Sequence, residues 1–143
     1  MKLREVLAKK PIAGVATISD RETLASLAQM LREKRIGAAV VSSSNRDLGG
    51  VISERDVITA IAQGGAECLN DPISRYMTVD VKTASPDDTV ASALDRMTEG
   101  RFRHMPILER GDLIGVVSIG DLVKAQIDSL KAEKAALEEY VRS

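Results

Sequence analysis

The chain has 143 residues, with 20 Lys and Arg against 21 Asp and Glu and a formal net charge of −1. That length suits one ordinary domain or two very small ones sharing a core. The charge balance lacks the basic excess through which a nucleic-acid binder releases counterions. One His, one Cys and no Trp allow neither an internal disulfide nor a His/Cys metal cluster. No apolar run reaches the roughly 18–20 residues of a membrane span, and the start MKLREVLAKK has no signal-peptide core. A cytoplasmic protein is the expectation.

In chain order, Lys2–Leu7 reads as a short helix and Ala16-Thr17-Ile18 as a short strand. Leu24, Leu27, Ala28 and Leu31 then form the i, i+3, i+4, i+7 stripe of an amphipathic helix. Asp20 precedes it, where an N-cap or first-turn acid would help. Ile36–Val41 reads as a short buried strand, Ser42–Asp47 as a polar turn, and Leu48–Ile52 as a second β-rich run. Ser53-Glu54-Arg55-Asp56 leads into another helix. Gln63–Asn70, with Gly64-Gly65, reads as a linker; its Cys68 adjoins Glu67 and lacks the electropositive setting of a reactive thiol. Pro72–Met77 reads as a short helix, with Asp71 as N-cap and Pro72 at its first position.

The pattern then repeats. Val81-Lys82-Thr83 matches the opening strand, and Val90, Ala93, Leu94 and Met97 match the first helical stripe, with Asp87 standing where Asp20 stood. Phe102–Ile107 is the next strand, polar at its start. Glu109–Asp112 is the turn, and Leu113–Val117 the strand that ends in Ser118-Ile119-Gly120-Asp121. Each half reads strand, helix, strand, turn, strand, helix, and the short helix Lys2–Leu7 is the counterpart of Pro72–Met77. The expected class is α+β: two β-α-β-β-α repeats packed by pseudo-twofold symmetry, plus a long C-terminal helix. The divisions are 1–66, 67–125 and a helical extension 126–143.

Ser-x-x-Asp at a strand-to-helix junction supports two readings. One is a capping box, with Asp in the place of the more usual Glu or Gln. The other is a ligand site, since a helix N-terminus offers unpaired N–H groups and positive dipole to a phosphate. Ser53 and Ser118 would then add hydroxyls, while Asp56 and Asp121 would accept from a ribose diol. Gly50 and Gly115, just upstream, would let a ring approach the backbone. Arg103, His104 and Arg101 cluster beside Phe102, and Arg binds phosphate bidentately. Arg55 could act likewise, whereas its counterpart Gly120 could not, which makes the two sites unequal.

GGVISERDVITAI and RFRHMPILERGDLIGVVSIGDLVK resemble paired cystathionine β-synthase (CBS) domains, together called a Bateman module, over nearly the whole of Met1–Lys124. The first half departs from the pattern, with Ile36-Gly37-Ala38-Ala39 in the place of Phe102-Arg103-His104-Met105. The resemblance implies a regulatory module and not an enzyme, one that binds adenine nucleotides (AMP, ADP, ATP, NAD(H)) or S-adenosylmethionine in clefts between the repeats. By position it assigns Asp56 and Asp121 to ribose, and Ser53 and Ser118, with Ile119 beside the latter, to phosphate. Thr17-Ile18 and Thr83-Ala84 are assigned to backbone contacts with adenine. Ala39 with Val40, and Met105 with Pro106, are assigned to apolar walls, and Arg103 and His104 to phosphates. It also implies a homodimer and an effector protein. The alternative is a scaffold or dimerisation module with degenerate sites.

The tail from Leu122 carries Val123, Ile127, Leu130, Leu137 and Val141 at four- and three-residue steps, interrupted by Lys134. That is the seam of a helix packing on another, either folded back on its own module or set against a second chain. Glu138 and Glu139 oppose the helix dipole, so the last turn is expected to fray unless packed.

Overall fold

The computed structural model describes residues 1–9 and 16–142; the final residue of the expected extension, 143, lies outside them. Its elements are α1 (Leu3–Ala8), β1 (Thr17–Ile18), α2 (Leu24–Lys34), β2 (Ala38–Val41), β3 (Gly50–Ser53), α3 (Glu54–Gly64), α4 (Val90–Gly100), β4 (His104–Glu109), β5 (Asp112–Ser118) and α5 (Ile119–Arg142). Two short 3-10 helices, Ala66–Asn70 and Ile73–Arg75, follow α3. The α+β class and the two repeats with a long C-terminal helix are therefore present.

The chain forms two compact units that do not follow chain order. One holds the chain up to Lys82 without the N-terminal segment, together with Leu108–Ile114; the other holds that segment with Thr83–Ile107 and the chain from Gly115. They are called here the N-repeat and C-repeat units.

In the N-repeat unit β1 runs parallel to β2, with Thr17 opposite Val40 and Ile18 opposite Val41. β2 pairs antiparallel with β3, and Ala38 stands opposite Ser53. The stripe of α2 delivers Leu24, Leu27 and Leu31 to a core completed by Ala39, Val41, Ile52, Val57 and Ile73. Cys68 joins that core at 4% exposure. Gln63–Asn70 is thus no linker: α3 reaches Gly64, and a 3-10 helix follows at once. The apolar Cys68 gives it something to bury, which Gly64-Gly65 concealed.

In the C-repeat unit Leu3 and Val6 of α1 share a core with Val90, Ala93, Met97, Met105, Ile107, Val117 and Leu122. β4 and β5 pair as a two-stranded sheet, of which His104–Ile107 and Gly115–Ser118 belong to this unit. The expected strand Val81–Thr83 is absent, and a single parallel bridge joins Ala84 to Ile107. The reason lies in the facing strand. In the first repeat the Val40 N–H donates to the Ala16 carbonyl at 3.0 Å. The residue in Val40's place is Pro106, which has no N–H to give Lys82. Only the Ala84 N–H to Pro106 carbonyl bond, 3.0 Å, survives.

The short helix before each repeat packs in the other repeat's unit. The Leu3 N–H donates to the Asp88 carbonyl and the Val90 N–H to the Met1 carbonyl, both at 2.9 Å. Likewise the Ile73 N–H reaches the Glu22 carbonyl at 2.8 Å and the Leu24 N–H the Asp71 carbonyl at 3.1 Å. Lys2–Leu7 and the Pro72 segment are counterparts in contact as well as in sequence. The second helix is shorter than expected, with Pro72 as its cap. Asp71 instead accepts from the Tyr76 hydroxyl at 2.5 Å and pairs with Arg75 at 3.2 Å.

Thr23 and Thr89, and not Asp20 and Asp87, cap α2 and α4. Each threonine oxygen accepts from the N–H three residues on, Ser26 and Ser92. Both helices end on an arginine in the left-handed region, Arg35 at φ 54° and Arg101 at φ 55°.

Candidate functional site

Both Ser-x-x-Asp turns are capping boxes. In α3 the Ser53 N–H donates to Asp56 Oδ2 at 2.8 Å, and the Asp56 N–H donates back to Ser53 Oγ at 3.3 Å. In α5 the Ser118 N–H donates to Asp121 Oδ2 at 2.9 Å, and the Asp121 N–H to Ser118 Oγ at 3.0 Å. The first N–H of each helix is also used. Glu54 donates to the Gly37 carbonyl and Ile119 to the Arg103 carbonyl, each at 2.9 Å. The amides of Arg55 and Gly120, at the second helical position, take part in none of these bonds.

Capping does not exclude ligand contact. Each box draws on one oxygen of a carboxylate that has about four acceptor positions, and all four Ser and Asp side chains are only half-buried. Ser53 also donates its hydroxyl to Asp56 Oδ2 at 3.1 Å, so a ligand using that hydroxyl must displace or share the bond.

The first strand adds a second feature. The carbonyls of Ala16 and Ile18 accept from Val40 and Ser42 at 3.0 Å. β1 lies at the end of its sheet, and neighbouring backbone groups alternate in direction along a strand. The N–H and C=O of Thr17 therefore point to the edge that carries no strand. The Thr17 hydroxyl itself donates to Asn45 Oδ1. In the other unit the corresponding Thr83 carbonyl is already occupied by the Arg96 guanidinium at 2.6 Å. Arg96 was not legible as a site residue, because it lies on α4 and its contact is tertiary. The place of Arg96 in the first repeat is taken by Met30, so the two first strands differ chemically.

The bond from Ile119 N–H to Arg103 carbonyl sets Arg103 beside the Ser118 turn. Its side chain is exposed, and among the described residues its guanidinium has no carboxylate partner. His104 follows, half-buried, at the start of β4. Gly37 holds Arg103's place in the first repeat, whose Ser-x-x-Asp turn carries instead the exposed Arg55, in the first turn of α3.

The apolar wall residues sit deeper than a wall requires. Met105 is 0% and Ala39 2% exposed, each within its own unit's core, and Pro106 is buried as well. Ile18 and Ala84 also pack in those cores.

Gly50 and Gly115 do not leave room for a ring. A Cβ on Gly115 would stand 2.5 Å from Leu7 Cδ2, and one on Gly50 would stand 2.7 Å from the Thr78 carbonyl oxygen and 3.3 Å from Met77 Sδ. The space over each glycine is filled by the chain around the short helix that packs there. A groove of about 590 Å³ in the N-repeat unit, lined by Leu31, Arg32, Arg35, Val57 and Ile58 among others, includes neither Ser53 nor Asp56. No group of three or more His, Cys, Asp or Glu side chains suited to a metal occurs among the described residues. None of the described helices is long and apolar enough to cross a membrane.

The family model for the CBS domain matches residues 3–63 and again 73–128. An uncharacterized 17.7 kDa protein of Acidianus ambivalens is 37% identical over 115 residues, covering 80% of this chain and 68% of that one. The crystal structure of the CBS-domain protein ATU1752 from Agrobacterium tumefaciens superposes with a TM-score of 0.84 at 35% identity, covering 88% of this chain and 99% of that one. That of PAE2072 from Pyrobaculum aerophilum, a CBS domain protein complexed with AMP, does so at 0.74 with 26% identity, covering 85% and 89%. Several matching Arabidopsis thaliana proteins are far longer, and the chain spans only 22–24% of their length.

Proposed function

The chain belongs to the CBS-domain family, carrying the domain as a tandem pair, and from that premise we propose that it is a regulatory module that binds an adenine nucleotide. The observation that carries the reading is the Ser-x-x-Asp turn built twice. Each unit ends a strand at a helix N-terminus whose carboxylate is half-buried and held in place by its own capping box. Asp56 and Asp121 take the ribose hydroxyls, Ser53, Ser118 and the second helical amides take phosphate, and the Thr17 backbone edge takes the base. Arg103 in one unit, and Arg55 in the other, supply positive charge, and His104 beside Arg103 offers a ring nitrogen. The relative solved with AMP supports this ligand class.

Because Arg96 holds the Thr83 carbonyl, the two sites differ in what they offer a base, and a single tight site is the simplest outcome. The module is not catalytic: it holds a ligand, and the ligand-stabilised state alters the surface shown to an effector protein. A homodimer is part of this reading.

A thermal-shift panel of AMP, ADP, ATP, NAD, NADH and S-adenosylmethionine tests it. A ligand at about 100 times its Kd adds roughly 2.7 kcal/mol, which raises the melting midpoint by several degrees. No shift with any of them at millimolar concentration overturns the sensor and favours a scaffold with degenerate sites.

A further inference from the structure

Among the described residues, the C-terminal helix packs on the core of its unit at its start. Leu122 is buried and Ile119 and Ala125 pack on the core, yet from Gln126 to Arg142 every residue except Ser129 is exposed. At 1.5 Å per residue, residues 126–142 run for roughly 25 Å, and helices in proteins draw most of their stability from packing an apolar face. Val123, Ile127, Leu130, Leu137 and Val141 are 42, 47, 58, 65 and 82% exposed. With Lys134 they mark one continuous seam of alternating four- and three-residue steps.

We propose that this seam is covered by the same seam of a second copy of the chain, with the two helices antiparallel. Val123 then meets Val141 of the second copy, Ile127 meets its Leu137, and Leu130 meets its Lys134. The inference rests on the homodimer of the proposed function and not on nucleotide binding.

Charge decides the direction. In a parallel pair Lys134 would face itself within the seam, and Glu133 would lie across from Glu138 of the second copy on both sides. In the antiparallel pair the flanking row Lys124, Lys131, Glu138 faces its own reverse. Lys124 therefore meets Glu138 of the second copy at both ends. Lys134 lays its apolar stem along Leu130 and keeps its ammonium at the edge, on the Glu133 side. The like pairs that remain, Lys131 on itself and Glu133 on itself, fall at the middle on opposite solvent-exposed flanks, where salt screens them. Glu138 already lies 4.0 Å from Lys134 in its own helix, so the test must separate that contact from the one between copies.

The test uses the full chain. Sedimentation should show a dimer. Glu138→Lys should weaken it by roughly fivefold to tenfold, since two exposed ion pairs become repulsions. Adding Lys124→Glu should restore it, although the contact within the helix stays lost. Under mild oxidation a mixture of the Ile127→Cys and Leu137→Cys variants should cross-link, and neither variant alone should; the native Cys68 is buried. Cross-linking of Ile127→Cys alone, or tightening by Glu138→Lys, overturns the antiparallel pair in favour of a parallel one. A dimer without cross-linking in the mixture overturns this surface and leaves the homodimer standing. A monomer overturns both, and the nucleotide panel is unaffected by any of these results.

Discussion

Replacing Asp121 separates the cap from the ligand site. Its Oδ2 accepts from the Ser118 N–H at 2.9 Å. In Asp121→Ala that half-buried donor loses its partner and the first turn loses a negative charge, at a cost of roughly 1–2 kcal/mol. For a chain of this size the melting midpoint falls by about 3–8 °C. In Asp121→Asn the amide oxygen can still accept from Ser118, so the cap itself loses only its charge on the helix dipole, about 0.3–1 kcal/mol. A ribose diol makes the opposite demand. An amide has one acceptor oxygen and no charge, and charged hydrogen bonds contribute roughly 1.5–3 kcal/mol, or about 10- to 100-fold in affinity. Isothermal titration with AMP on Asp121→Asn and Asp56→Asn, beside their melting curves, reads both effects. The expected result is a large loss of affinity with a small loss of stability in at least one variant. Unchanged affinity in both refutes the ribose assignment and leaves Ser-x-x-Asp as a cap only.

Three further perturbations follow from the packing. Gly50→Ala drives its Cβ against the Thr78 backbone carbonyl at 2.7 Å, the acceptor for the Val51 N–H, and should cost about 1–3 kcal/mol. Gly115→Ala meets only the Leu7 side chain and no backbone atom among its nearest neighbours, and should cost less; equal losses on chemical denaturation would disprove the distinction. Arg35→Gly relieves a left-handed residue at a helix end and should stabilise by about 0.5–1 kcal/mol, whereas a lower midpoint would show that the arginine side chain matters more than its backbone. The Ser44 hydroxyl, followed by that of Ser42, holds the Asp47 carboxyl well below the usual carboxylate range. Its stabilisation is thus complete above the unfolded value of about 4 and lost as pH falls towards the lower folded one. The gap in melting midpoint between the native chain and Asp47→Asn should be full at pH 7 and narrow steadily below about pH 4, and a gap independent of pH would refute it.

What the sequence determined by itself is local. The stripes of α2 and α4, the two Ser-x-x-Asp caps and the repeat that relates them rest on contacts three or four residues apart, so residue order suffices to read them. The long C-terminal helix was legible for the same reason, and it runs to Arg142 despite the acidic residues near its end. Its apolar seam is exposed and not folded back, which no spacing rule could decide. The tertiary structure alone settled which distant segment fills the space over each glycine: Leu7 lies over Gly115, and Met77 with Thr78 over Gly50. It also settled that Pro106 stands where a ladder donor was needed, that Cys68 turns an apparent linker into core, and that Arg96 occupies the Thr83 carbonyl. Each depends on residues brought together from afar, where burial and hydrogen-bond demand override local preference, and for that reason two repeats alike in pattern present different chemistry at the same turn.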